Sequence, residues 1–423
     1  MKPASILLEM IIRAGTVVVI DAEGVHHSFE GRNPPPKGAP HTVTMRIHDR
    51  RFYWRFITNP SLAIGEAFMN GTLTPDEGTS LYDLLLVLME NYSVARTRGL
   101  IGLIDTATRA LCRILAFNPV GRSQRNVAHH YDLGDELFDL FLDSDRQYSC
   151  AYFADPSESL EQAQMNKKNR IARKLLLRPG ARVLDIGSGW GGLSLFLAKA
   201  FDADVTGITL SREQLATSNA RAGADHVNEQ CRFLLRDYRH ERGQYDRVVS
   251  IGMFEHVGLR HYRAFFRHVS NLLADNGIAL IHSIGMFDRP GPVPAWISKY
   301  IFPGSYIPTL SQALLAVEAA SLKVTDIEIW RIHYAETLQR WRTRFLSNRD
   351  KAKAMYDERF CRMWEFYLTS CEIAFRIGDL MVFQLQLTKD QEAVPLTRDY
   401  IGPARAPITD AANVVPFRSA DSI

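Results

Sequence analysis

Several things are scarce in this chain of 423 residues, and each absence excludes a class of protein. No uninterrupted apolar run approaches the roughly 20 residues needed to span a bilayer, and Glu9 and Arg13 break the early apolar stretch, so neither a spanning helix nor a secretory leader is expected. Cysteine is sparse. The five thiols, at 112, 150, 231, 361 and 371, are odd in number and lack metal-ligand spacing, which favours reduced cysteines in the cytoplasm over a disulfide framework or a metal site. An excess of one charge is also missing: 50 Lys and Arg stand against 47 Asp and Glu, a net +3 with no block of like charges, so nucleic acid is not an expected partner.

Length alone suggests two or three units. Residues 1–117 read as a small α+β domain, with strands at Thr16–Ile20 and Thr42–Ile47, a Pro- and Gly-rich loop at Gly31–Pro40 and a helix around Leu81–Met89. Between 93 and 125 the basic residues Arg96, Arg98, Arg109, Arg113, Arg122 and Arg125 face only Asp105 and are interleaved with apolar residues. That pattern suits either an amphipathic helix on an anionic membrane surface or a helix packed on a neighbouring domain. A hinge is expected near Asn118–Arg125. Residues 118–395 alternate strand and helix, with strands at 182–186, 204–208, 231–235, 246–251, 277–283, 324–330 and 381–388. Such alternation predicts an α/β fold, a mostly parallel seven-stranded sheet with helices on both faces. An irregular insertion at 286–310, rich in Pro and Gly, has the character of a substrate lid, and 396–423 read as a disordered tail.

What is present centres on residues 183–192, Val-Leu-Asp-Ile-Gly-Ser-Gly-Trp-Gly-Gly. Apolar Val183, Leu184 and Ile186 precede the glycines, and Leu193, Phe196, Leu197 and Ala200 follow at helical spacing, which is the strand-turn-helix setting of a nucleotide cradle. Gly187, Gly189 and Gly191 allow the backbone to bend closely under a ligand. A dinucleotide site places a carboxylate about 20 residues further on. Here the second strand instead runs into Thr209, Leu210 and Ser211, and Asp185 stands inside a D-x-G-x-G turn, so S-adenosylmethionine is favoured over a nicotinamide cofactor.

Polar groups at the carboxyl ends of parallel strands converge on one crevice. Besides Asp185, these are Glu255 in Gly252–Gly258 and His282 in the strand at 277–283. Ahead of the sheet lie Asn126–Asp132 and Gln147–Phe153, where the hydroxyls of Tyr148 and Ser149 suit a methionyl carboxylate or a ribose. Cys150 and Cys371 remain open between a nucleophile and a small buried packing residue.

Assembled in order, His130–Gly134, Tyr148–Tyr152, Leu184–Gly191, Gly207–Ser211 with Gln214, Val249–Gly258, Lys299–Gly304, His333–Ala335 with Thr337, Leu338 and Trp341, and Cys371 with Phe375 and Arg376 resemble the cyclopropane fatty acyl phospholipid synthases, relatives of the mycolic acid cyclopropane synthases. The resemblance covers about residues 45–390. It implies a class I methyltransferase (Rossmann-like) fold and methylene transfer from S-adenosylmethionine to the cis double bond of an unsaturated phospholipid acyl chain; a same-fold C-methyltransferase making methyl-branched or methylene lipids is the alternative. It further implies that Tyr148, Ser149, Gly187, Gly189, Leu210, Gln214, Asp237, Tyr238 and Ile251 touch the cofactor. Cys150, Glu255, His282, the backbone of Ile284, and Tyr334 would hold a bicarbonate ion, with Cys371 a further catalytic candidate. The N-terminal unit resembles the extra lipid-associating domain of the bacterial phospholipid enzymes, which implies peripheral attachment to the inner face of the cytoplasmic membrane and leaves room for a homodimer. Tyr152, Phe153, Phe254 and Tyr300 are expected to line a pocket for a carbocation.

Overall fold

A computed structural model of the chain describes residues 2–96, 134–287 and 293–402. The expected hinge, most of the basic stretch at 93–125, the motif at His130–Leu133 and the tip of the expected lid lie outside these residues.

The N-terminal part carries a four-stranded sheet in the order β2-β1-β3-β4, made of β1 (Thr16–Ile20), β2 (His26–Glu30), β3 (Thr42–Ile47) and β4 (Leu73–Asp76). Around it lie α1 (Lys2–Ile11), α2 (Phe52–Thr58), α3 (Pro60–Met69) and α4 (Leu81–Arg96). The short helix α5 (Asp135–Asp139) and the longer α6 (Leu160–Leu175) lead into the larger sheet. That sheet comprises β5 (Arg182–Ile186), β6 (Asp204–Thr209), β7 (Cys231–Leu235), β8 (Tyr245–Ile251), β9 (Leu273–Met286), β10 (Lys323–Trp330) and β11 (Leu380–Thr388). Its order is β10-β11-β9-β8-β5-β6-β7. The pairings from β9 through β7 are parallel and the two involving β11 are antiparallel. The mostly parallel, seven-stranded α/β sheet read from the sequence is therefore present.

Both faces of this sheet are covered, which is why its strands read as apolar runs rather than alternations. Val183, Val205, Val249 and Leu280 pack on one side with α6, α7 (Gly192–Phe201) and α8 (Arg212–Ala224). Their neighbours Leu184, Val248, Ala279 and Ile281 pack on the other with α9 (Tyr262–Leu272) and Ala313, Ala316 and Val317 of the helix Leu310–Glu318. Successive side chains point to opposite faces, so one strand feeds two cores.

The N-terminal sheet has its own strand ladder, yet its core is continuous with the catalytic part. Among the helices after β9 are α10 (Ala295–Tyr300), α11 (Leu310–Glu318), α12 (His333–Ser347), α13 (Arg349–Met355) and α14 (Glu358–Ile377). Helix α14 packs on α3 and α4, and α10 packs on α3. Gly65 of α3 makes the last contact possible, because a Cβ there would stand 2.4 Å from the indole of buried Trp296. Glu66 beside it accepts from Lys299 (2.7 Å) and Tyr300 (2.8 Å). The expected lid thus contains a helix docked on the N-terminal unit rather than only irregular chain. Its return is fixed as well, since the Tyr306 amide donates to the Glu255 carbonyl (2.9 Å) and the Met286 amide to that of Pro308 (2.9 Å).

The start of the expected disordered tail is ordered. Arg398–Ile401 form a single 3-10 turn, the Tyr400 hydroxyl donates to Gln386 (2.8 Å), and Ile401 is buried. No helix among the described residues is long and apolar enough to cross a membrane.

Candidate active site

A cleft of about 1270 Å³, its open mouth included, lies at the carboxyl ends of β5, β6 and β8, where a parallel sheet with helices on both faces places its ligands. Its wall contains Tyr148, Ser149, Asp185, Gly187, Gly189, Thr209, Leu210, Gln214, Asp237, Tyr238 and Ile251, all expected from the sequence. The backbone at Gly187, Gly189 and Gly191 has φ of 83°, 57° and 81°, the left-handed region. Gly191 is the tightest position, since a Cβ would stand 2.7 Å from the ring of Phe233.

Two expected cofactor residues are not in the wall. Gly191 serves as the N-terminal cap of α7 against Phe233, and Ser211 caps α8, accepting the Gln214 amide (3.2 Å) and donating to Glu213 (3.0 Å). They shape the loops and do not face the cleft. At the tip of β6, where a dinucleotide site would hold a carboxylate, the Thr209 hydroxyl donates to the Gln214 side-chain carbonyl (2.9 Å). Asp185 lies beneath the glycine turn. Burial pushes its pKa up to about 6, only partly offset by the Ser194 hydroxyl at 2.7 Å. Burial acts on Asp237 in the same direction, but the guanidinium of Arg239 (2.8 and 2.7 Å) outweighs it and holds that carboxyl below its usual range.

Of the other wall residues, Trp190, Met253, His256 and Val257 fall within the expected motifs without a role of their own, and Arg146 and Lys167 lie outside them. Trp190 is held by Asp135, which accepts from its indole N–H (2.8 Å) as well as from Arg146 (2.6 Å) and Thr217 (2.8 Å). Lys167, on α6, is 1% exposed. Its signal in the sequence is position, because it falls on the same helical stripe as Leu160, Ala163 and Ile171 and is carried into the interior with them.

The second half of the site lies behind the first. The loop after β8 gives Ile251, Gly252, Met253 and His256 to the cleft but turns Glu255 inward. One carboxylate oxygen of Glu255 accepts the backbone N–H of Ile284 (2.6 Å), and the other is buried and has no hydrogen-bond partner among the described residues. Burial pushes this carboxyl up to about 7. The Ile284 amide, expected to hold an anion directly, is thus engaged by Glu255. Tyr334 has Tyr148, Cys150, Glu255 and Cys371 as its electrostatic neighbours, and burial followed by these groups keeps its hydroxyl protonated. Glu255 and both candidate cysteines therefore lie within electrostatic reach of Tyr334.

His282 precedes Ile284 by two residues on β9 and shares its strand face. Its Nδ1 accepts from the Gln384 amide (3.2 Å), its ring abuts Trp330 (5.0 Å), and burial lowers its pKa to about 3, so the imidazole is neutral. Neither cysteine has the character of a nucleophile. Burial raises Cys371 to about 12 and raises Cys150 further, and the Cys150 thiol donates to the Ala151 carbonyl (3.3 Å).

The expected carbocation pocket is not assembled from the four aromatics named for it. Phe254 is stacked into the core on Tyr262 (4.2 Å), Tyr152 lies on Trp330 and His333, Phe153 carries Arg340, and Tyr300 is tied to Glu66. A different set of aromatics is gathered around Tyr334 and Tyr148. Tyr148 and Tyr367 join hydroxyls at 2.7 Å, Tyr334 packs on Trp341 and Phe375, and Phe302 of the lid packs on Tyr367.

Comparisons with known proteins agree with this geometry. Residues 120–385 match the family described as Mycolic acid cyclopropane synthetase. The Cyclopropane-fatty-acyl-phospholipid synthase of Escherichia coli (strain K12) is 36% identical over 349 residues, 82% of this chain and 88% of the relative. The Tuberculostearic acid methyltransferase UfaA1 of Mycobacterium tuberculosis (strain ATCC 25618 / H37Rv) is 38% identical over 283 residues, 64% of this chain and 66% of the relative. Among solved structures, the mycolic acid cyclopropane synthase CmaA1 complexed with SAH and CTAB superposes with a TM-score of 0.60 at 33% identity, covering 64% of this chain and 99% of that one.

Proposed function

This chain belongs to the mycolic acid cyclopropane synthetase family and is an S-adenosylmethionine-dependent methyltransferase of the cyclopropane synthase type, and from that premise we propose that it cyclopropanates the cis double bonds of unsaturated phospholipid acyl chains. The observation that carries the reading is the unpartnered, buried oxygen of Glu255 among Tyr334, Cys150 and Cys371, directly behind the cofactor cleft.

The chemistry asks for such a place. The π electrons of an alkene attack the sulfonium methyl, the S–CH₃ bond breaks to release S-adenosylhomocysteine, and a carbocation remains on the chain. Loss of a proton from the transferred methyl then lets its C–H electrons close the ring. An alkene is a weak nucleophile, so alignment is the main contribution, worth about 7–11 kcal/mol when reactants are held in register. Tyr148, Tyr334, Tyr367, Trp341 and Phe375 pack in one apolar core, and aromatic rings are the side chains suited to stabilise a cation. Phe302 and the docked lid helix keep water away from it.

Bicarbonate fits the donor set here, and when bound it supplies a base small enough for an apolar pocket. Glu255, protonated up to about pH 7, offers its carboxylic O–H; Tyr334 offers its phenol; and His282, accepting at Nδ1, offers an N–H at Nε2. Ile284 contributes indirectly by fixing Glu255.

A peripheral site on the inner, anionic face of the cytoplasmic membrane is supported by α2, where Trp54 is 71% exposed beside Arg51 and Arg55, whose exposed guanidiniums pair with Asp49 and Glu66. The reading is tested with anionic vesicles of unsaturated phospholipid and S-adenosylmethionine bearing a trideuterated methyl, followed by mass spectrometry of the lipids. Retention of two deuteriums with no remaining double bond is the expected result. Two deuteriums with a double bond mark a methylene lipid and three a methyl branch, either of which overturns cyclopropanation, and unlabelled lipid overturns lipid methylation altogether.

A further inference from the structure

Lys167 is a charged side chain in a place that does not pay for charge. It is 1% exposed, yet it lines the cofactor cleft. Its Nζ donates to the hydroxyl of Ser149 at 2.8 Å, and among the described residues it forms no ion pair. The nearby carboxylate of Asp143 is the main favourable charge on it but stands beyond ion-pair distance, and it accepts the backbone amides of Gln147 (2.9 Å) and Asp145 (3.2 Å). By contrast, the adjacent Lys168 is paired in the ordinary way, with Asp145 at 2.6 Å. An ammonium has three donors, and an interior ammonium with no carboxylate in direct contact remains costly unless an anion arrives to complete it.

The segment that carries Ser149 is held rigidly for this purpose. Gln164, one turn before Lys167 on α6, donates to the carbonyls of Gln147 (3.1 Å) and Ser149 (3.0 Å). Because Ser149 accepts from Lys167, its own O–H is left to donate into the cleft. Two donors, one of them cationic, thus converge on the part of the wall formed by Tyr148 and Ser149.

We propose that Lys167 is a positioning residue for the co-substrate, its ammonium and the Ser149 hydroxyl together gripping the carboxylate of the methionyl moiety and so fixing the direction of the S–CH₃ bond. The proposal rests on the cofactor reading of the cleft and is independent of the lipid product. Burial lowers Lys167 to about 8, which leaves the ammonium charged at neutral pH.

The test compares two ligands that share the adenosine and the thioether but not the amino-acid carboxylate. Binding of S-adenosylhomocysteine and of 5′-methylthioadenosine is measured by calorimetry on the full chain and on its Lys167→Met and Ser149→Ala variants. Lys167→Met is expected to weaken S-adenosylhomocysteine by about 10- to 100-fold, the range for losing a charged hydrogen bond, and methylthioadenosine by less than about threefold. Ser149→Ala, which leaves the buried charge in place, is expected to show the same discrimination with a smaller loss. The double variant should be no weaker than Lys167→Met alone. Equal losses for both ligands, or a full sum in the double variant, would make Lys167 a structural residue and overturn the proposal. So would a raised bicarbonate requirement with unchanged S-adenosylhomocysteine affinity, which would assign the ammonium to the other anion. Failure of the unaltered chain to bind S-adenosylhomocysteine is a different result and overturns the cofactor site itself.

Discussion

Glu255→Gln separates the role of the buried carboxyl in catalysis from its cost to the fold. Glutamine has the same shape and keeps a carbonyl for the Ile284 amide, so the loop after β8 retains its anchor. The carboxyl itself ionises near 4.5 when exposed and near 7 in the folded chain, because burial disfavours its charge. Between those values the folded state holds a proton that the unfolded state has released. Stability therefore falls as pH rises through this window, and the loss is complete above 7. A displacement of this size corresponds to about 3 kcal/mol. Glutamine does not titrate, so the stability of the variant relative to the parent should rise by about 3 kcal/mol between pH 4.5 and 8, read as a shift in urea midpoint at each pH. Turnover should fall by at least about 100-fold, the scale of a lost proton-handling group, while S-adenosylhomocysteine affinity stays within about threefold, because Glu255 is not in the cleft wall. A stability difference that does not change with pH would refute the assignment of a buried, protonated carboxyl. Parallel losses of turnover and ligand affinity would refute its placement at the reacting centre.

Two further substitutions probe neighbouring parts of the argument. Gly191→Ala forces an L side chain into φ 81° with its Cβ 2.7 Å from Phe233, and should cost roughly 1–3 kcal/mol, seen as a lowered melting temperature that S-adenosylhomocysteine restores only partly; an unchanged melting temperature would count against the strained cap. Cys371→Ala removes a thiol that burial holds protonated up to about 12, so more than about a tenth of turnover should survive in the vesicle assay, whereas loss of all activity would restore the nucleophile reading.

The sequence made the large sheet legible because its strands are buried on both faces and its glycine turn has few alternative uses. β5 and β7 coincide with the strands expected at 182–186 and 231–235. The cofactor cleft was legible for the same reason, since a parallel sheet brings strand ends together whatever else the chain does. What escaped depends on tertiary contacts. β2 is a short and largely exposed edge strand whose His26–Glu30 sequence has little apolar alternation. Gly191 and Ser211 were assigned to the ligand because they sit in the right loops, but loop position does not tell a cap from a wall residue. Lys167 was passed over although it lies on the apolar stripe of α6, because a lysine ordinarily marks the solvent face of a helix.

One strand pair sets the relation between the cofactor cleft and the groups proposed to hold the base. Ile251, in the cleft wall, is the register partner of His282, and the Gly252 amide donates to the His282 carbonyl at 2.9 Å. Three residues further on, Glu255 returns to the same strand by accepting the Ile284 amide. The loop that closes the cofactor cleft is therefore stitched at both ends to β9, the strand that presents the imidazole. Because the parallel β8–β9 ladder continues into the core through Val248–Ala279 and Val249–Leu280, the spacing between the two half-sites is set by backbone hydrogen bonds rather than by side-chain rotamers. A reaction whose intermediate is a carbocation gains from this arrangement, since the proton acceptor has to stand at a fixed distance from the transferred methyl before the cation finds another fate. The expected lid joins the same frame through the Tyr306 amide on the Glu255 carbonyl, which ties the segment proposed to exclude water to the carboxyl proposed to hold the base.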